Sequence, residues 1–276
     1  MAPCRNLLIM NAIVLGVLAT LFYITGSTLQ GVGLKREIPS KRIWVLTSGF
    51  AAILFHGISV YGEIFTAAGI NMSFFAMASL ICCVIATTIL LSSLGKPVDN
   101  LFIVLFPPAV VAIWLSLLVG TSYTPRSDLE KGIIGHILLS VIAYSVLTIA
   151  AFQALLLAFE NRQLKQKRSF SLLKALPPLQ TMESLLFELL SVGLIVLTLS
   201  IFTGFLFLED MFAQHIVHHT LITLASWVVF VILLWGRYQR GWRGQTAISW
   251  TLSGFGLLAL GYFGSKLVAE IILQRM

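Results

Sequence analysis

Five histidines hold most of the chemistry open to this chain: His56, His136, His215, His218 and His219. Neutral imidazole is the commonest metal ligand near neutral pH and the usual proximal ligand of haem. His215-x-x-His218 sets two imidazoles one helical turn apart on one face. His219 points about 100° away from His218 on a helix, so those two do not share one metal. An interfacial row of weakly polar residues, bonded to headgroups or backbone, accounts for the same triplet. Lys266 and Glu270 also stand one turn apart. They can form an ion pair, or Lys266 can meet an anionic headgroup or a porphyrin propionate. Cys82 and Cys83 are adjacent and diverge on a helix, which suits packing and not a metal clamp. P-loop, G-x-S-x-G, H-E-x-x-H and C-x-x-C patterns are all absent. Without C-x-x-C-H, no haem is attached covalently in the c-type manner. No catalytic residue is expected.

These side chains must be held by an unusually apolar frame. Of 276 residues 58% are hydrophobic and only 11% charged, where soluble domains average about 25% charged. A mean hydropathy of +0.95 excludes a soluble globule and a disordered chain. Eight apolar runs lie at roughly 6–26, 43–62, 73–95, 101–120, 132–159, 185–208, 217–236 and 247–271. Most reach the roughly 20 residues that cross about 30 Å of hydrocarbon. Lipid offers the backbone no hydrogen bonds, so the runs are expected to be helices. They do not alternate as barrel strands do. The expectation is an all-α polytopic bundle of about eight transmembrane helices, a single transmembrane domain over 1–276. Pro107–Pro108 falls inside the fourth helix and predicts a kink. Pro177–Pro178 leads into the sixth.

Orientation follows from the basic residues. The formal charge is +7, from 18 bases and 11 acids. Lys35, Arg36, Lys41 and Arg42 follow the first helix, and Lys96 follows the third. Arg162, Lys165, Lys167, Arg168 and Lys174 follow the fifth, and Arg237, Arg240 and Arg243 the seventh. Thirteen of 18 bases thus share one side, which the positive-inside rule makes cytoplasmic. Both termini are then outside, and the basic excess is an orientation signal with no call for nucleic acid. All five histidines fall in the outer half. Trp44, Trp235, Trp242 and Trp250 fit an aromatic belt.

Several segments in the second half, taken in order, carry a family resemblance. The first is G-H-I-L-L-S-V-I-A-Y at 135–144, whose helix ends A-L-L-L-A-F-E-N-R-Q-L-K. Next are L-P-P-L-Q-T-M-E-S-L-L-F-E-L-L at 176–190 and L-T-L-S-I-F-T-G at 197–204. R-G-W-R-G at 240–244 and G-F-G-L-L-A-L-G-Y-F-G at 254–264 complete the set. Together they resemble the CcsA/CcmC/ResC group of cytochrome c assembly membrane proteins. The first three helices and the H-x-x-H-H segment look most like its YpjD/HemX-like branch. The resemblance divides the chain into family-variable N-terminal helices, 1–125, and an assembly-like core, 130–270.

That resemblance implies haem handling at the outer face, with outer histidines as axial ligands. His136 stands at the position of the family's first outer histidine. A tryptophan-rich loop is expected between the sixth and seventh helices, but residues 209–219 contain no Trp. Trp235 replaces a family histidine before R-G-W-R-G, and no histidine follows His219. These departures argue against haem-lyase activity. The resemblance therefore implies haem as cofactor, bound by His136, His215, His218, His219, His56 and Lys266. The iron would be held by His136 with His218, or with His215. It further implies a multi-pass protein of the bacterial cytoplasmic (inner) membrane that assists cytochrome c maturation. Its partners would be membrane lipid and proteins of haem biosynthesis or cytochrome c maturation. The alternative is a haem-independent regulator or scaffold of the HemX type, working through the basic segment 160–175.

Overall fold

The computed structural model describes residues 2–36, 42–96, 98–119, 130–166, 177–207, 217–264 and 267. Among these are eight helices long and apolar enough to cross a membrane. The protein is a polytopic helical membrane bundle, as the apolar runs require. Its chain divides into two compact units, Met1–Asp128 with Gln274–Met276, and Leu129–Leu273.

The N-terminal unit contains α1 (Ala2–Arg36), α2 (Arg42–Ile64), α3 (Phe74–Gly95) and α4 (Leu101–Leu118). Helix α1 packs on α2 and α4, and α3 packs on the same two. Tyr23, Phe102, Phe106 and Ile113 are fully buried between them. Two glycines allow this approach. A methyl at Gly26 would lie 3.1 Å from the Phe106 ring, and one at Gly49 would lie 3.2 Å from Leu90. Small residues substitute for the hydrophobic effect in lipid by letting helices come close. Pro107 and Pro108 sit inside α4 without ending it. A short antiparallel hairpin joins α2 to α3, β1 (Phe65–Thr66) with β2 (Gly69–Ile70). No sequence pattern anticipates it.

Polar groups close the base-rich end of this unit. The Arg42 guanidinium donates to Asp99 Oδ2 at 3.0 Å and to the Ser93 carbonyl. Burial pushes the Asp99 carboxyl above the usual carboxylate range, and Arg42 partly opposes it.

The C-terminal unit contains α5 (Lys131–Lys165), α6 (Leu179–Phe207), α7 (Val217–Arg240) and α8 (Gly244–Ala259). A π-helical turn, Leu260–Gly264, continues α8. Helix α6 begins directly after Pro177–Pro178, and the Pro178 carbonyl accepts from the N–H groups of Thr181 and Met182. Helices α5 and α6 pack along their length, and α5 also meets α8. A methyl at Gly193 would come within 2.6 Å of Leu147, so glycine sets the α5–α6 spacing. Ala143, Leu147, Ala150 and Ala154 of α5 meet Leu186 and Leu190 of α6 in the core, with Phe230 and Leu233 of α7.

The base-rich end of this unit is closed by one carboxylate. Glu183 Oε1, in the second turn of α6, accepts from Arg237 Nη1 at 2.7 Å. Its Oε2 accepts from the Gly244 N–H at 3.3 Å, at the start of α8. Arg237 also donates to the Trp242 carbonyl at 3.2 Å and lies 4.4 Å from the centre of the Phe187 ring. Gly241 and Gly244 have φ of 66° and 55°, a conformation that glycine adopts without steric cost. Trp242 folds back onto Gly236, where no side chain would fit. The L-P-P-L-Q-T-M-E-S and R-G-W-R-G segments are thus the two halves of one latch. Both side chains are largely buried, so losing one partner leaves the other desolvated. Glu183→Gln, which keeps the shape and removes the charge, should destabilise the unit by about 1.5–3 kcal/mol. Thermal unfolding in detergent measures this, and an unchanged midpoint would make the latch energetically idle.

Candidate functional site

Each helix end opposite the base-rich loops contributes to a second polar cluster in the C-terminal unit. His136 lies in the second turn of α5, and Ser200 lies in the last third of α6. The His136 Nδ1–H donates to the Ser200 carbonyl at 2.8 Å. A carbonyl can only accept, so the ring carries its proton on Nδ1. In the neutral ring, Nε2 then holds the lone pair. Thr203 Oγ1 adds a 3.4 Å contact to the same Nδ1. The hydroxyls of Ser140 and Ser200 bond each other at 2.7 Å, and Ser140 also donates to the His136 carbonyl. These bonds fix the ring between two helices.

His219 repeats the arrangement on another pair of helices. It lies near the start of α7, and its Nδ1–H donates to the Gly261 carbonyl at 2.8 Å. Gly261 is the second residue of the π turn after α8. Again Nδ1 is committed to a carbonyl and Nε2 keeps the lone pair. Neither Nε2 has a hydrogen-bond partner among the described residues. Aromatic side chains flank the rings. The Tyr262 ring is 6.2 Å from His219 and 5.3 Å from Tyr144. The Tyr144 hydroxyl donates to the Leu258 carbonyl, tying α5 to α8. Phe207 closes over Gly132, one turn before His136.

Chemically, this arrangement offers two imidazoles whose Nδ1 is bonded to a carbonyl and whose Nε2 is left for a ligand. A carbonyl that accepts from the other ring nitrogen fixes the tautomer of a metal-ligating histidine and raises its basicity. A flat, amphiphilic porphyrin with an iron centre fits that donor set. The histidine spacing alone points to His215 and His218 as the face-sharing pair. The imidazoles that the structure describes at this end are His136 and His219, which lie on different helices where no spacing rule joins them. Residue His218 stands in the first turn of α7, but its side chain lies outside the described residues, as do His215 and Lys266.

His56 is held differently. It lies in the N-terminal unit, fully buried, with Nδ1 3.1 Å from the Tyr23 hydroxyl and Nε2 3.0 Å from Ser79 Oγ. Both ring nitrogens are engaged, and the Tyr23 ring meets the imidazole edge-on. Hydroxyls donate and accept, so either tautomer is satisfied. Glu183 escaped sequence reading because it was one letter within a longer motif. Its signal was an acidic residue at the start of an apolar helix on the side where bases gather.

The sequence matches the family described as Cytochrome C assembly protein over residues 44–273. The chain belongs to the cytochrome c assembly protein family. This membership agrees with the resemblance carried by the second-half segments. Among curated relatives is the inner membrane protein YpjD of Escherichia coli strain K12. It is 28% identical over 261 residues, covering 94% of this chain and 99% of that protein. An uncharacterized 28.8 kDa protein of Azospirillum brasilense is 36% identical over 50% of this chain and 52% of its own length. Protein HemX of Brevibacillus brevis is 22% identical over 54% of this chain and 58% of its own length. Both YpjD and HemX support the YpjD/HemX-like branch of the cytochrome c assembly family. No solved structure matches the chain.

The engagement of His56 yields a prediction. His56→Leu strips the partners from two buried hydroxyls, Tyr23 and Ser79, at a cost of about 1–3 kcal/mol each. The variant should unfold at a lower temperature in detergent. Leu paired with Tyr23→Phe and Ser79→Ala should recover most of the loss, because no polar group is then left unpaired. Failure of this triple variant to recover would assign His56 something beyond packing.

Proposed function

We propose that this cytochrome c assembly family member binds or handles haem in the bacterial inner membrane and assists cytochrome c maturation. One observation carries the reading. Two imidazoles at one end of the C-terminal unit each give Nδ1–H to a backbone carbonyl and keep Nε2 uncommitted. That state leaves each ring one nitrogen oriented for a ligand. Haem, when bound, supplies the redox-active iron. His136 and His219, held by Ser200 and Gly261, would hold that iron. His215, His218 and Lys266, at the same end by sequence, are the further candidates for iron or propionate contact. His56 has no free lone pair in its present bonds and is the weakest of the six.

Location follows from two supports. A relative matching nearly the whole chain is called an inner membrane protein. The positive-inside rule places the base-rich loops in the cytoplasm and the imidazole end outside. That end would face the compartment where c-type cytochromes receive haem. Leu, Ile and Phe side chains exposed along the helices, such as Leu91, Leu118 and Ile195, meet lipid. Proteins of haem biosynthesis or cytochrome c maturation are the expected partners on either side.

An absorption spectrum of the detergent-purified protein, oxidised and reduced, before and after haem addition, tests the reading. A six-coordinate bis-imidazole spectrum is expected. His136→Ala and His219→Ala should each remove it, whereas His56→Leu should retain it. A flat spectrum throughout the titration would overturn haem binding. The regulator reading would then lead, and neutralising Arg162, Lys165, Lys167 and Arg168 would test it.

A further inference from the structure

The direction of the His219 ring is set by the Gly261 carbonyl, in the π turn that follows α8. Along α8 each carbonyl is directed at the N–H four residues on. At Leu260–Gly264 the helix widens into a π turn, a form seen mostly as single turns and frequently at functional sites. Two carbonyls near this end of the helix accept side chains from other helices. Leu258, in the last turn of α8, accepts from Tyr144 of α5, and Gly261, in the π turn, accepts from His219 of α7.

Gly261 also sets how closely α7 approaches. A methyl there would lie 3.3 Å from Ile222 Cγ2 and 3.4 Å from Thr223 Oγ1. Both distances are tighter than ordinary van der Waals contact, and Ile222 is β-branched with little rotamer freedom in a helix. Thr223 stands one turn after His219, on the same face. Its Oγ1 is buried without a hydrogen-bond partner. Threonine in a helix usually returns its hydroxyl to the carbonyl four residues back, as Thr198 and Thr251 do here. Thr223 does not.

We propose that Gly261 is a positioning residue. Its lack of a side chain lets the π-turn carbonyl reach the His219 Nδ1–H, which fixes Nε2 as the nitrogen presented to a ligand. The proposal deepens the haem reading, and its value for haem rests on that reading. The tautomer and direction of His219 nevertheless exist without haem and can be measured alone.

The test uses the full-length protein in detergent, labelled with 15N-histidine. The His219 signals are assigned by their loss in His219→Gln. The wild type should show a protonated Nδ1 and a bare Nε2. Gly261→Ala should displace the carbonyl, so that the two His219 nitrogens become a tautomer mixture while His136 is unmoved. Gly261→Ala with Ile222→Ala, which clears the space, should restore the wild-type pattern. The double variant also decides the matter if Gly261→Ala alone does not fold. A wild-type pattern in Gly261→Ala, or no restoration in the double variant, overturns the proposal. Haem titration of the same three proteins separates the two readings. Haem affinity should fall about 10–100-fold in Gly261→Ala, the usual effect of removing a second-shell partner, and return in the double variant. The expected tautomer patterns in all three proteins, with a wild type that takes no haem, would defeat the haem reading and leave the positioning role standing.

Discussion

In hydrocarbon, every backbone carbonyl must find its donor inside the protein. This constraint turns the eight apolar runs into helices, and it also governs how polar side chains are held. A helix carbonyl keeps a second lone pair beyond its backbone bond, and that lone pair can accept a side chain. Ser226 uses it at Gly254, in the middle of α8. His136 and His219 use it at Ser200 and Gly261. Ser200 is bonded by Thr203 as well as by His136, and Gly261 lies in the widened turn after α8. The imidazoles are oriented because the backbone has acceptance to spare there.

The same logic separates three classes of polar group in this protein. The latch of Glu183, Arg237 and Gly244 is closed upon itself, with both carboxylate oxygens used. It fixes the turn between α7 and α8 and so the course of both helices toward the opposite end. The His56 network is closed too, with two nitrogens and two hydroxyls satisfied. Only His136 and His219, among the described histidines, have one nitrogen fixed and the other open. Burial alone does not distinguish these classes, since His56 is the most buried of the three. The count of satisfied lone pairs does.

Much of the fold could be read in advance because the membrane simplifies it. Length and apolarity identify a span, and bases concentrate between alternate pairs of spans. His136 was legible as well, through the segment that surrounds it. What sequence could not supply was pairing across helices. The H-x-x-H spacing drew attention to His215 and His218, neighbours along one helix face. His219 finds its partner 42 residues later, in a π turn whose apolar, glycine-rich sequence looks like ordinary span. Glu183 was likewise silent until α7 brought Arg237 to it. In both cases the deciding partner is a backbone atom or a distant cation, and neither leaves a periodic trace.

The segments that carry the family resemblance turn out to be one another's contacts. The first helix segment supplies His136 and Tyr144, which bond Ser200 in the third and Leu258 in the last. The second supplies Glu183, which holds Gly244 at the end of the fourth. A set of contacts so distributed resists piecemeal change, because each motif fixes the position of another.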